Sequence, residues 1–176
     1  MALSHSMLIC LTLLRKTFFY LFKRSMGVWP VIGKIHTRET VCRFLFEGDF
    51  RNDQSVKPKA FLPPPDSGEL SVYRISNLSS FEVMSIGKYF VETVSRRRKP
   101  EVLGEATMKV SSLKSIRRNL VVKAWRCPHP RHANIINLPV VPKNQTVVAD
   151  YKEIKQEQKN VAQAMVSLVS GVTIYS

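Results

Sequence analysis

Residues 41–46 (VCRFLF) make a short apolar run rich in β-formers, which predicts a strand. In 70–75 (LSVYRI) the pattern alternates, with Leu70, Val72 and Arg74 on one side and Ser71, Tyr73 and Ile75 on the other, which predicts a second strand. Between them 48–59 is polar and turn-like, and Pro63-Pro64-Pro65-Asp66-Ser67-Gly68 stops any regular element. Ser79-Ser80-Phe81-Glu82 has the S-x-x-E spacing of a capping box: the serine hydroxyl accepts from the glutamate N–H, and the carboxylate reaches back to the serine N–H. Phe81, Met84, Ile86, Tyr89, Phe90 and Val94 follow at helical spacing. A helix is therefore expected at 80–94, weakened at Gly87 by about 1 kcal/mol relative to alanine.

The run RRRKP at 96–100 ends that helix. Residues 102–110 predict a strand, 111–119 a short helix opened by Ser111 and Ser112, and 120–125 (LVVKAW) a further strand. Residues 127–134 (CPHPRHAN) read as loop, because Pro128 and Pro130 lack backbone donors, and 135–138 as a last short strand. From 146 to about 169 the helical period returns: Val147, Tyr151, Ile154, Val161, Met165 and Leu168 share a face, separated mostly by Lys, Glu and Gln. The expected fold class is α+β, a small mixed or antiparallel sheet with two main helices, the C-terminal one amphipathic and packed on the sheet. The expected domain is 39–170, with 1–38 a basic and apolar extension and 171–176 a tail.

The segment 7–22 (MLICLTLLRKTFFYLF) is too short and too charged to span a bilayer. At about 1.5 Å per residue it reaches about 24 Å against a hydrocarbon core of about 30 Å. Arg15 and Lys16 would each cost about 2.5–3.5 kcal/mol at the bilayer centre. A signal peptide needs positive charge before its apolar run, and only His5 precedes this one. Two readings remain. One is an extension outside the domain, with Met26 an alternative start of translation. The other is an interfacial helix giving weak membrane-surface contact through 7–24, with Phe18, Phe19, Leu21 and Phe22 inserted and Arg15, Lys16, Lys23 and Arg24 on anionic lipid. The expected location is the cytoplasm.

Composition adds little until charge is counted. Hydrophobic residues are 44% and charged residues 23%, which excludes wholesale disorder, and three cysteines far apart exclude a disulfide scaffold. The chain carries 27 Lys and Arg against 13 Asp and Glu, a net +14. Residues 96–131 hold eleven of the cations against only Glu101 and Glu105, so +9 of the +14 falls in 36 residues. Such a cluster suits a polyanion, since each cation that meets a phosphate releases condensed counterion. The expected phosphate contacts are Arg96, Arg97, Arg98, Lys99, Lys114, Arg117, Arg118, Lys123, Arg126 and Arg131, with Trp125, Tyr89 and Phe90 as stacking platforms. The plainer alternative is a solvated basic surface with Trp125 in the core. There is no C2H2 spacing, RRM string or basic-zipper heptad, so readout of base sequence is not expected.

The loop CPHPRH adds candidate chemistry. Cys127, His129 and His132 are three possible zinc ligands, but a structural site needs a fourth, and beyond Cys42 no second knuckle is present; no metal is expected. A metal-free site would use His132 as general acid/base, Arg131 or Arg74 as phosphate clamp and Asn134 as orienter, an arrangement of the phosphodiesterase or ribonuclease kind. The competing structural reading has His132 and Asn134 bonding backbone in a proline-stiffened loop. Arg74, on an apolar face, needs a partner, and Glu82 or Glu105 is the expected acid or a phosphate the alternative. Neither G-x-G-x-x-G, G-x-x-x-x-G-K-[ST], D-x-D nor G-x-S-x-G occurs, so no cofactor is expected and no substrate is indicated. Three function classes stand: a polyanion binder, a metal-independent enzyme, and an adaptor for an acidic protein that uses the C-terminal helix as a second docking face.

The strings RFLF (43–46), AFLPPP (60–65), LSVYRISNLS (70–79) and RHANI (131–135) resemble a group of small uncharacterised bacterial proteins. That group has a similar N-terminal strand, a Pro-rich turn, an L-S-V-x-R strand and an H-A-N-I loop. The resemblance covers about residues 42–169. It implies a bacterial cytoplasmic protein and marks Arg74, His132, Ala133 and Asn134 as motif positions, without supplying an activity. Asn137-Leu138-Pro139 stands where the group tends to carry Trp-Pro.

Overall fold

The computed structural model describes residues 34–94, 101–125, 129–141 and 148–175, all within one compact unit, Ile32–Ser176. Six strands form one sheet: β1 (Thr40–Leu45), β2 (Leu70–Arg74), β3 (Gly104–Lys109), β4 (Val121–Ala124), β5 (His132–Ile136) and β6 (Gly171–Ile174). Their order is β4-β5-β2-β1-β3-β6 and every pairing is antiparallel. Three helices accompany them, α1 (Ser80–Val94), α2 (Leu113–Ile116) and α3 (Val148–Ser167), with 3-10 turns at Pro58–Phe61 and Val110–Ser112.

The central strands are buried on both faces, which is why β1 reads as nearly continuous apolar sequence. On one face Val41, Leu45, Leu70, Val72, Met108 and Ile135 meet Ala60 and Phe61 of the first 3-10 turn and Val161, Ala162 and Met165 of α3. The guanidinium of Arg43 ties that turn to the sheet, donating to Ala60 O at 3.1 Å and Ser71 O at 3.0 Å. On the other face Cys42, Phe44 and Tyr73 lie under Val83 and Ile86 of α1. The capping box of α1 forms: Ser79 N donates to Glu82 Oε2 at 2.8 Å and Glu82 N to Ser79 Oγ at 3.4 Å. Gly87 marks the closest approach of α1 to the sheet, since a Cβ there would stand 3.0 Å from the Phe44 ring.

Two expectations are corrected. Residues 132–134 are not loop but the first half of β5, because Pro128 and Pro130 fall before it and β2 and β4 flank it with ladders on both sides. Residues 171–174 are not tail but the edge strand β6, paired with β3. The short helix expected at 111–119 is present as a 3-10 turn at Val110–Ser112 and the four-residue helix α2. Asn137 leaves β5 in the left-handed region at φ +68°, which Asn tolerates, and donates to Asn119 O at 2.7 Å. The segment 7–24, Arg96 to Lys99, Arg126, Cys127 and Val147 lie outside the described residues. No helix among the described residues is long and apolar enough to cross a membrane.

Candidate nucleic-acid interface

β4 lies at one end of the sheet, bonded to β5. Strand alternation turns Val122 inward, where it is buried, and sends Val121, Lys123 and Trp125 to the opposite face. That face is open here: Val121 is 48% and Trp125 49% exposed, and Lys123 is exposed between them. Trp125 is held in register, since its N–H donates to His132 O at 2.9 Å and so extends the β4–β5 ladder by one residue. Trp125 is therefore not a core residue. Just before β4, Lys114 and Arg118 are exposed on α2 and the turn that follows it.

Two other cations of the cluster are engaged elsewhere. Arg117 Nη1 pairs with Glu157 Oε1 of α3 at 2.9 Å. Arg131 is buried and its Nη1 donates to Arg74 O at 3.1 Å and Ser76 O at 3.4 Å. Burial pushes its pKa below the ordinary arginine value; Glu82 opposes that shift and Arg74 adds to it. Arg96, Arg97, Arg98, Lys99 and Arg126 belong to the undescribed residues.

Behind Lys123 and Trp125 stand Asn134 and His132, their cross-strand neighbours on β5. Asn134 is buried and its Nδ2 donates to Glu69 Oε2 at 2.6 Å, while its Oδ1 has no partner among the described residues. His132 packs on Tyr73, ring centroids 5.2 Å apart. His129 Nδ1 accepts from Arg131 N at 3.1 Å and His129 O from His132 N at 2.8 Å, so this side chain closes the turn into β5. Its ring also meets Tyr89 at 5.4 Å. Phe90 is half-buried against Tyr73 and Phe46, and Tyr89 is only 37% exposed. Of the three aromatic platforms expected, Trp125 is the one that stands open beside a free-standing lysine.

Arg74 does not join His132 and Asn134. It shares its face with Val41 and Val72, whereas His132 aligns with Tyr73 on the opposite face. It pairs with Glu39, an acid outside the expected set: Nε donates to Oε2 at 2.7 Å and Nη2 to Oε1 at 2.9 Å. Glu82 takes part in the capping box, and Glu105 accepts the Tyr175 hydroxyl beyond β6. The fork of Arg74 thus closes on a carboxylate and that of Arg131 on backbone carbonyls. Among the described residues no cluster of three or more His, Cys, Asp or Glu is arranged to hold a metal. Sequence reasoning missed Glu39 and Glu69. Glu69 was within reach of pattern analysis, since it falls on the Ser71 and Tyr73 side of β2.

No family model matches this chain, nor does any curated protein or any solved structure.

Proposed function

We propose that the protein binds nucleic acid through its phosphate backbone along the outer strand β4, with Trp125 as the stacking platform. The observation that carries this reading is the pairing of Lys123 and Trp125, exposed on one face of an edge strand in a chain of net charge +14. A cation beside an open aromatic ring is the unit by which single strands are held: the ammonium takes phosphate and the indole takes a base of any identity. From Val121 to Trp125 the extended backbone covers about 13 Å at about 3.3 Å per residue, enough to seat a stacked base and its neighbouring phosphate. Lys114 and Arg118 extend the cationic side toward the start of that track. Arg96, Arg97, Arg98, Lys99 and Arg126 stay in the proposal as further phosphate contacts; Arg117 and Arg131 leave it, because an ion pair and burial occupy them. Stacking without hydrogen-bonded base readout makes the binding tolerant of sequence. The proposal takes the resemblance's bacterial cytoplasm as its setting.

Fluorescence anisotropy with a labelled oligothymidylate tests the reading. Trp125→Ala is expected to weaken binding by about 5- to 150-fold, given that a stacked base contributes about 1–3 kcal/mol. Equal affinity of wild type and Trp125→Ala would remove the stacking platform and with it the proposal.

A further inference from the structure

The opposite end of the sheet carries a second open strand with a different character. β6 pairs with β3 on one side only among the described residues. Edge strands are commonly protected by charge, proline or a bulge. Charge and proline are missing from this one: residues 160–176 contain no Lys, Arg, Asp, Glu or Pro, on a chain of net charge +14. Val172 and Ile174, exposed at 41% and 46%, stand on the same face of the strand.

The backbone register fixes what such an edge accepts. Tyr175 N donates to Leu103 O at 2.9 Å, so 103 and 175 form a hydrogen-bonded pair, and by antiparallel alternation so do Glu105 and Thr173, while at the start of the strand Thr107 O accepts from Ser170 N at 2.8 Å. The N–H and C=O groups of Val172 and Ile174 therefore point to the open side. They lie symmetrically about Thr173. A second β6 running antiparallel across a two-fold axis at Thr173 would place Val172 of each copy opposite Ile174 of the other, exchanging four backbone hydrogen bonds. The same register brings all four exposed apolar side chains together on one face. A second copy supplies by symmetry both the matching pair of exposed apolar side chains and an uncharged contact.

We infer that β6 is a homodimerisation edge, joining two copies through antiparallel β6–β6 pairing centred on Thr173 into one continuous sheet. The neutral segment is where two strongly cationic molecules can approach without local repulsion. The pairing is four residues long, so the interface falls in the class below about 1,200 Å² and the dimer is a weak, concentration-dependent one. Added salt screens the long-range repulsion between the copies, so dimerisation strengthens with salt, opposite to the behaviour of an assembly bridged by nucleic acid.

Sedimentation velocity of the full chain over a concentration series, at low and high salt, tests this. Wild type is expected to rise from monomer toward dimer mass, at lower concentration in high salt. Val172→Pro removes an outward N–H but no bond to β3, and is expected to weaken the dimer at least tenfold while the monomer keeps its circular dichroism. Should Val172→Pro not fold, cysteine pairing decides. With Cys10 and Cys127 replaced by serine, Thr173→Cys faces its own copy at a separation a disulfide accepts, whereas Val172→Cys faces Ile174. Oxidation is expected to give a covalent dimer with Thr173→Cys at least tenfold faster than with Val172→Cys. A wild type that stays monomeric throughout, a Val172→Pro variant that dimerises like wild type, or equal rates for the two cysteines would overturn the inference.

Discussion

Two carboxylates respond to the fold in opposite directions. For Glu39, burial alone would raise the pKa, but the Arg74 fork and the His36 N–H outweigh it, and the net shift is below the ordinary value of 4.5. A folded-state pKa lower than the unfolded one contributes stability that is complete above 4.5 and lost as pH falls through the lowered value. Glu39→Gln is expected to be less stable than wild type at neutral pH and to flatten the acid limb of a urea-denaturation series, the two curves converging at low pH. Curves that stay parallel would mean the Arg74 pair contributes nothing pH-dependent. For Glu105, burial raises the pKa above 4.5, with hydrogen bonds from Tyr175 and Thr173 opposing incompletely. Here the native state binds its proton more tightly, so stability declines as pH rises from 4.5 through the raised value. Glu105→Gln keeps an acceptor for Tyr175 and is expected to exceed wild type in stability at neutral pH, the gain vanishing in acid. That Arg74 needed a partner was legible from its place among Leu70 and Val72. The identity of the partner was not, because Glu39 reaches it only through the pairing of β1 with β2, 35 residues away in sequence.

At the scale of elements, α1 and the first two strands were readable because their signals are local. The capping box fixes where α1 begins, and Ser79→Ala is expected to lower thermal stability by about 1 kcal/mol. The sign at Gly87 is not readable from propensity. Alanine favours a helix by about 1 kcal/mol over glycine, yet its methyl would press on the buried Phe44 ring and on Val102. Gly87→Ala is therefore expected to destabilise by about 1–3 kcal/mol in denaturant titration, the cost of overpacking, and a stabilised variant would place α1 farther from the sheet than described. β5 and β6 escaped the pattern analysis for non-local reasons. HANII carries two polar residues inside a strand because one face of it meets Tyr73 and Glu69, contacts made by β2 and the residue before it. GVTI is short and follows α3 closely, and only the ladder offered by β3 makes it a strand.

At the scale of the whole molecule, the excess charge was visible in the sequence as a block at 96–131, but the fold distributes the described part of that block unequally. Arg131 is drawn into the interior, Arg117 onto α3, and Lys114, Arg118 and Lys123 remain exposed along the approach to β4 and on it. Counting charges along the chain cannot make that distinction, because it depends on where Glu157 and the carbonyls of Arg74 and Ser76 arrive. The sheet ends accordingly in two unlike edges, a cationic aromatic one at β4 and a neutral one at β6. Nucleic acid is proposed to bind at the first. The most direct measurement is the salt dependence of oligothymidylate affinity for wild type and for the triple variant Lys114→Ala/Arg118→Ala/Lys123→Ala. The wild-type slope of log K against log salt is expected to be about −2 or steeper and to fall by about 2 in the triple variant, since each phosphate contact on a single strand contributes about −0.7. A shallower wild-type slope, or a slope the three substitutions leave unchanged, would contradict binding at β4.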